Sequence, residues 1–243
     1  SFYAQTLLDL VKAFEKVPHH KVAEAARKHG YNLTLLRLTL AAYRIKRSVG
    51  VDGVYSRLIV AVCGITAGSG TATTELRVIL LDVVDSTYVL WPTISLTLYV
   101  DDFTIEAHGS RLGTRVTVAG ATDCVINLMQ IGLDLEVSVK KSVVVAGRLS
   151  LAQGIARTSR TGKLQVARAT KVLGAPSGGG RRRSTKALAI RLPAFVKKIP
   201  RIHALRRASV KVGQIVRAAG SPAVSYGVET VGMADTHLNR ARS

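Results

Sequence analysis

Two adjacent aspartates, Asp101 and Asp102, stand between the run "TISLTLYV" and the run "FTIEA". Alternation with period two on both sides of a polar pair is the pattern of a β-hairpin that carries the pair at its turn. Carboxylates held side by side repel one another, and a divalent cation is the partner that removes the repulsion. A metal site needs at least a third acidic ligand. Asp9, which ends the apolar run "FYAQTLLDL", is the candidate supplier. Three carboxylates holding two Mg²⁺ ions, with Mn²⁺ as a substitute, form the donor set of two-metal phosphoryl transfer. A turn also accepts Asp for its own sake, so the pair alone does not decide the chemistry.

The elements that must position these residues are legible from period and punctuation. "FYAQTLLDL" reads as a buried strand. Pro18 followed by "HHKVAEAARKHG" reads as a helix closed by Gly30, with His19 and His20 as helix-start residues rather than metal ligands. "NLTLLRLTLAAYRI" reads as a second helix, and "VDGVYSRLIVAVCGI", with Asp52-Gly53, as an extended segment or hairpin. "GITAGSGTATTELRVILLDVVDSTYVL" passes from a Gly/Ser/Thr loop into a long apolar helix, with threonines available to cap it. "RVTVAGATDCVINLMQIG" reads as a helix ending at Gly132, and "LEVSVKKSVVVAG" as a strand pair or one long strand. Strand, helix, hairpin, helix, strand is the order of a split βαβ sandwich, an α+β class in which helices cover one face of an antiparallel sheet. Residues 1–176 are expected to form this part. Beyond it, "VLGAPSGGGRRRS" reads as a flexible Gly-rich break, and residues 177–243 as a second, helical region of basic amphipathic helices. A phosphate-binding P-loop is excluded there, because Gly180 stands where the lysine would be.

Charge separates the same two regions. The net charge is +20 over 243 residues. Residues 1–136 hold 13 Lys+Arg and 13 Asp+Glu, residues 137–228 hold 20 Lys+Arg and no acid, and residues 229–243 hold two of each. A block of this kind is what a surface that neutralises phosphates needs, so nucleic acid is the expected partner rather than a membrane. The 47% hydrophobic content excludes wholesale disorder. The longest apolar candidate, "LRVILLDVVDSTYVLW", is interrupted by Arg77, Asp82 and Asp85, short of the roughly 18 residues of a membrane span. A soluble protein is expected, with Cys63 and Cys124 as buried thiols of a reducing compartment.

"LYVDDF" resembles the Y-x-D-D motif of reverse transcriptases, and "DLVKAFEKVPHHKV" resembles their D-x-x-x-A-F motif, in the form found in non-LTR (LINE-type) retrotransposons and group II intron proteins. Between them, "GITAGSGTATTEL" stands where that family has a Gly-x-x-Gln-Gly-Ser loop. "GLDLEVSVKKS", "KVLGA" and "SYGVETVG" resemble three later segments, in the family's order. The resemblance implies a right-hand polymerase palm followed by a basic helical thumb, with the fingers largely absent before Asp9, so that the chain reads as a fragment. It implies an RNA-directed DNA polymerase that joins dNTPs to a DNA primer 3′-hydroxyl on an RNA template.

The residues carried over are Asp9, Asp101 and Asp102 as metal ligands, Tyr99 as the first residue of the second motif, and Phe14 as the aromatic under the incoming sugar. An aromatic there crowds a ribose 2′-hydroxyl and favours deoxynucleotides. Lys141, with Lys140 beside it, matches a lysine that meets the leaving pyrophosphate. Ala67 and Gly68 fall at the nucleotide loop, where Ala67 replaces the family's Gln. Phosphate contacts are expected from Arg181, Arg182, Arg183, Lys197, Lys198, Arg206 and Arg207. The LINE-like resemblance and the Arg181–Arg183 run imply an intracellular, nuclear location. The alternative is a catalytically inactive relic that binds RNA or an RNA–DNA hybrid. The low aromatic content, 5%, argues against a module that stacks bases on its strands.

Overall fold

In the computed structural model, residues 1–66, 68–161, 164–172, 175–179, 186–226, 228, 235–236 and 239 are described. Two compact units divide the chain: Ser1–Val144 with Ser150–Val166, and Val145–Leu149 with Ala167–Ser243.

The first unit begins with strand β1, Phe2–Leu8, then a short helix α1, Ala13–Lys16. Helix α2, His19–Lys28, follows Pro18, whose fixed φ suits a helix entrance, and ends before Gly30 at φ 66°. Helix α3, Leu33–Tyr43, is capped by Asn32, whose side chain accepts from the Leu35 N–H at 3.0 Å. Strands β2, Gly50–Val51, and β3, Val54–Tyr55, form a hairpin on Asp52-Gly53, both at positive φ. Helix α4, Ala72–Leu90, leads into β4, Ser95–Tyr99, and β5, Asp102–Gly109. Helix α5, Arg111–Asn127, is capped by Ser110 and runs on as a π-turn over Leu128–Gly132. Strand β6, Val143–Ala146, helix α6, Leu149–Thr158, and strand β7, Gln165–Ala167, follow.

The main sheet has the order β4-β5-β1-β6-β7. Its first three strands are antiparallel, with Leu8 opposite Phe103, Thr6 opposite Ile105, and Leu98 also opposite Phe103. These side chains lie on one face, and Leu8, Phe103 and Ile105 join a core with Leu76, Ile79, Leu80 and Val83 of α4, Val125 of α5, and Met129. α4 and α5 approach closely at Gly120, where a Cβ would fall 2.2 Å from the Trp91 ring. A mixed α+β architecture is therefore observed, as the alternating sequence pattern predicts.

The second unit contains a hairpin of β8, Ala169–Val172, and β9, Ala175–Gly178. Helices α7, Lys186–Val196, α8, Ile199–Arg207, α9, Val212–Ile215, and α10, Ser221–Ser225, follow, with a π-turn over Val216–Gly220 between the last two. Among the described residues no helix is long and apolar enough to cross a membrane.

Several expectations are corrected. Cys63, which follows the arm 44–60 that is exposed throughout, is itself exposed, and Cys124 is half-buried; neither is the buried thiol expected. Thr71 makes no side-chain cap to α4, since its own backbone is already helical at φ −104°, ψ −14°. "LEVSVKKSVVVAG" is not one strand: Val137 bridges Leu10, a turn covers 138–142, and β6 starts at Val143. The Gly-rich break begins instead as β9, and α6 occupies a stretch in which no helix is read from sequence. Beyond α7, the expected basic amphipathic helices are interrupted at Ser209, φ 62°, and α8 buries no residue.

Candidate active site at the hairpin turn

The register of the sheet fixes two of the carboxylates. β1 pairs with β5 as far as Leu8 opposite Phe103, so Asp9 directly follows the last β1 pair and Asp102 directly precedes its partner on β5. β4 pairs with β5 as far as Tyr99 opposite Asp102, which leaves Val100 and Asp101 as a two-residue loop. Leu8, Leu98 and Phe103 take the helix-covered face, so strand alternation turns Asp9, Tyr99 and Asp102 to the other. Tyr99 is correspondingly 58% exposed. The turn is made by Val100 at φ 59°, a left-handed conformation that costs a β-branched residue on the order of 1–3 kcal/mol. Backbone strain is thus concentrated beside Asp101.

Lys141 reaches this corner through main-chain bonds. The Ser138 N–H donates to the Asp9 carbonyl at 2.7 Å, and the Val11 N–H to the Glu136 carbonyl at 2.8 Å. The turn closes with the Ser142 N–H on the Ser138 carbonyl at 2.9 Å. The Lys141 ammonium then lies 3.0 Å from Asp9 Oδ2 and 3.5 Å from Oδ1. The Oδ1 contact has hydrogen-bond geometry; Oδ2, buried at the atom, has the ion-pair contact without it.

Electrostatics tie the group together. Burial is the main cause that raises the Asp101 carboxyl, and the charge of Asp9 adds to it, against its own backbone N–H and Lys141. Asp102 is raised by burial, then by Asp101 and Asp9, with Lys141 again opposing. Lys141 is raised by its bond to Asp9 and by the charges of Asp9, Asp101 and Asp102. Three carboxylates and one ammonium therefore share one local field. As they stand, however, no three His, Cys, Asp or Glu side chains among the described residues are disposed together to hold a metal ion.

Phe14 sits in α1, half-buried against the core, and its carbonyl accepts from the Ile65 N–H at 2.7 Å. That bond draws the loop before α4 alongside it. Gly64, at φ 94°, donates to the Val17 carbonyl at 2.8 Å, and a Cβ there would lie 3.0 Å from the Glu15 carbonyl oxygen. Gly68 is exposed at φ 89°; Ala67 lies outside the described residues. Sequence reasoning missed two supports of this loop. His19, fully buried at the start of α2, bonds the Gly64 carbonyl through Nε2 at 2.8 Å. Glu75, fully buried in α4, accepts from the Tyr43 hydroxyl at 2.9 Å. An acid inside an apolar helix was the available signal for Glu75; for His19 there was none beyond its place after Pro18.

In the second unit, Lys197 and Lys198 follow α7 and Arg206 and Arg207 end α8, all exposed. Arg181, Arg182 and Arg183 lie outside the described residues. Arg191 is engaged locally: it donates to the Tyr226 carbonyl at 2.6 Å and lies 5.3 Å from that ring's centre.

No protein-family model and no curated protein matches the sequence. Among solved structures, the chain is similar to apo telomerase from Candida tropicalis truncated from its C-terminal domain, at 12% identity and a TM-score of 0.49. The similarity covers 73% of this chain and 34% of that one, so the chain spans about a third of its length.

Proposed function

We propose that the first unit carries a nucleotidyl-transfer centre of reverse-transcriptase type, which extends a primer 3′-hydroxyl with deoxynucleotides on an RNA template. One observation supports the reading: Asp9 directly follows Leu8, the last β1 residue paired with β5, and its charge acts on Asp102 and on Asp101 in the adjacent strained turn. By donor chemistry, though not in their present disposition, these residues suit divalent cations: the ligands are hard carboxylate oxygens, two of them raised by burial and neighbouring negative charge, and Asp9 Oδ2 is a buried oxygen met by the Lys141 ammonium without hydrogen-bond geometry. Asp9, Asp101 and Asp102 would hold them. Bound there, two Mg²⁺ or Mn²⁺ ions would activate the attacking hydroxyl and neutralise charge developing on the phosphorus.

The chain's own residues supply the rest. Phe14, pinned beside the loop before α4, gives an apolar floor that suits a deoxyribose, and exposed Tyr99 offers a face across the sheet from Asp102. Lys141 is a long-stemmed cation within reach of the acidic corner, suited to meet a leaving pyrophosphate. The cations of the second unit contact the nucleic-acid backbone without reading sequence. Template-dependent primer extension tests the reading: it should require a divalent cation and be lost in Asp9→Asn and Asp101→Asn. Retained extension in either variant removes the proposed centre. The second reading, binding alone, is favoured by the acid-free block 137–228 and predicts duplex binding with no incorporation.

A further inference from the structure

The turn that carries Lys141 is anchored on the residue that Lys141 neutralises. Ser138 donates to the Asp9 carbonyl, and three residues later the ammonium meets the Asp9 carboxylate at 3.0 Å. The antiparallel bridge between Leu10 and Val137 fixes the same two segments one residue further along each. The lysine's backbone is therefore held at the site, while its side chain stays 69% exposed and free to swing away. Lysine chemistry suits this behaviour, because its charge is a compact, hydrated point on a flexible stem. The neighbouring acid, Glu136, is ion-paired with Lys16 at 2.8 Å.

Asp101 and Asp102 also attract this ammonium, and Lys141 in turn opposes their mutual repulsion. A divalent cation that coordinates Asp9 would approach the same carboxylate oxygens that Lys141 contacts. The two positive charges cannot share them without repulsion.

We propose that Lys141 is a tethered counter-cation: it neutralises Asp9 until a divalent cation arrives, and every such cation must displace it. The inference rests on the reading that the three carboxylates take divalent cations. It adds a positioning role for Lys141 that precedes any contact with nucleotide. Displacement selects against weakly bound cations, and it frees the ammonium at the moment the site becomes charged.

The test is a Mn²⁺ titration of the full chain, followed by the paramagnetic resonance signal of free Mn²⁺, with thermal melts in chelator and at saturating Mn²⁺. Lys141→Met should bind Mn²⁺ about two- to fivefold more tightly than the unsubstituted chain, the range for loss of one exposed ion pair. Lys141→Arg should stay near the unsubstituted affinity. In chelator Lys141→Met should melt below the unsubstituted chain, and at saturating Mn²⁺ the difference should vanish. Unchanged or weaker Mn²⁺ binding in Lys141→Met, with binding still lost in Asp9→Asn, overturns the counter-cation role and leaves the metal reading standing. No saturable Mn²⁺ binding in either the unsubstituted chain or Lys141→Met overturns the metal reading and the displacement with it.

Discussion

Asp102 carries a cost that the fold accepts at neutral pH. Its carboxyl is raised by burial, by Asp101 and by Asp9. A carboxyl raised in the folded state favours folding when protonated, so its contribution is fully present below the ordinary carboxylate range and is lost as pH rises through the folded value. In chelator at pH 7, Asp102→Asn should therefore melt about 1–2 °C above the unsubstituted chain. The gap should close on acidification into the ordinary carboxylate range, below the raised value of the native carboxyl. A variant that melts lower at pH 7 would show that the carboxylate is stabilised where it sits. Asp101 and Asp102 were legible in the sequence because alternation and turn chemistry are both local. The pairing of Lys141 with Asp9 was not, since it depends on a turn at 138–142 that the run "EVSVKKS" hides inside a strand-like pattern.

Between elements, α4 and α5 approach closely at Gly120. A methyl group there would lie 2.2 Å from Trp91 Cζ2 and 2.3 Å from Cη2, so the ring must move. Gly120→Ala should cost about 1–3 kcal/mol, as overpacking does. Trp91 is the chain's single tryptophan, so its emission should shift to the red in the folded variant. Unchanged emission and stability would contradict this packing. The elements that build the site were readable because each has a pronounced period or a cap: β1, the β4–β5 hairpin, α2 after Pro18, α5 after Ser110. The arm 44–60 was not readable as exposed. Val49, Val51, Val54 and Ile59 have the composition of buried strand, and nothing local tells that no layer covers them. The break at Ser209 escaped for a related reason, as serine in a basic amphipathic run gives no warning of a left-handed residue.

Across the whole chain, charge is divided more sharply than structure requires. Stability gains nothing from 20 basic residues with no acid over 137–228, whereas release of counterions from a nucleic acid uses them directly. Replacing Lys197, Lys198, Arg206 and Arg207 together by Gln should weaken duplex binding and reduce its salt slope by about 0.9 for each phosphate no longer neutralised, to a maximum of about 3.6. An unchanged slope would mean that these four side chains face away from the backbone. The function reading itself is decided by template-dependent primer extension with the whole chain in Mg²⁺ or Mn²⁺, comparing deoxynucleotides with ribonucleotides and with Asp101→Asn as the control. Incorporation that prefers the deoxy form and vanishes in Asp101→Asn is the predicted result. Tight duplex binding with no incorporation, or incorporation that survives Asp101→Asn, would contradict a centre built on these three carboxylates.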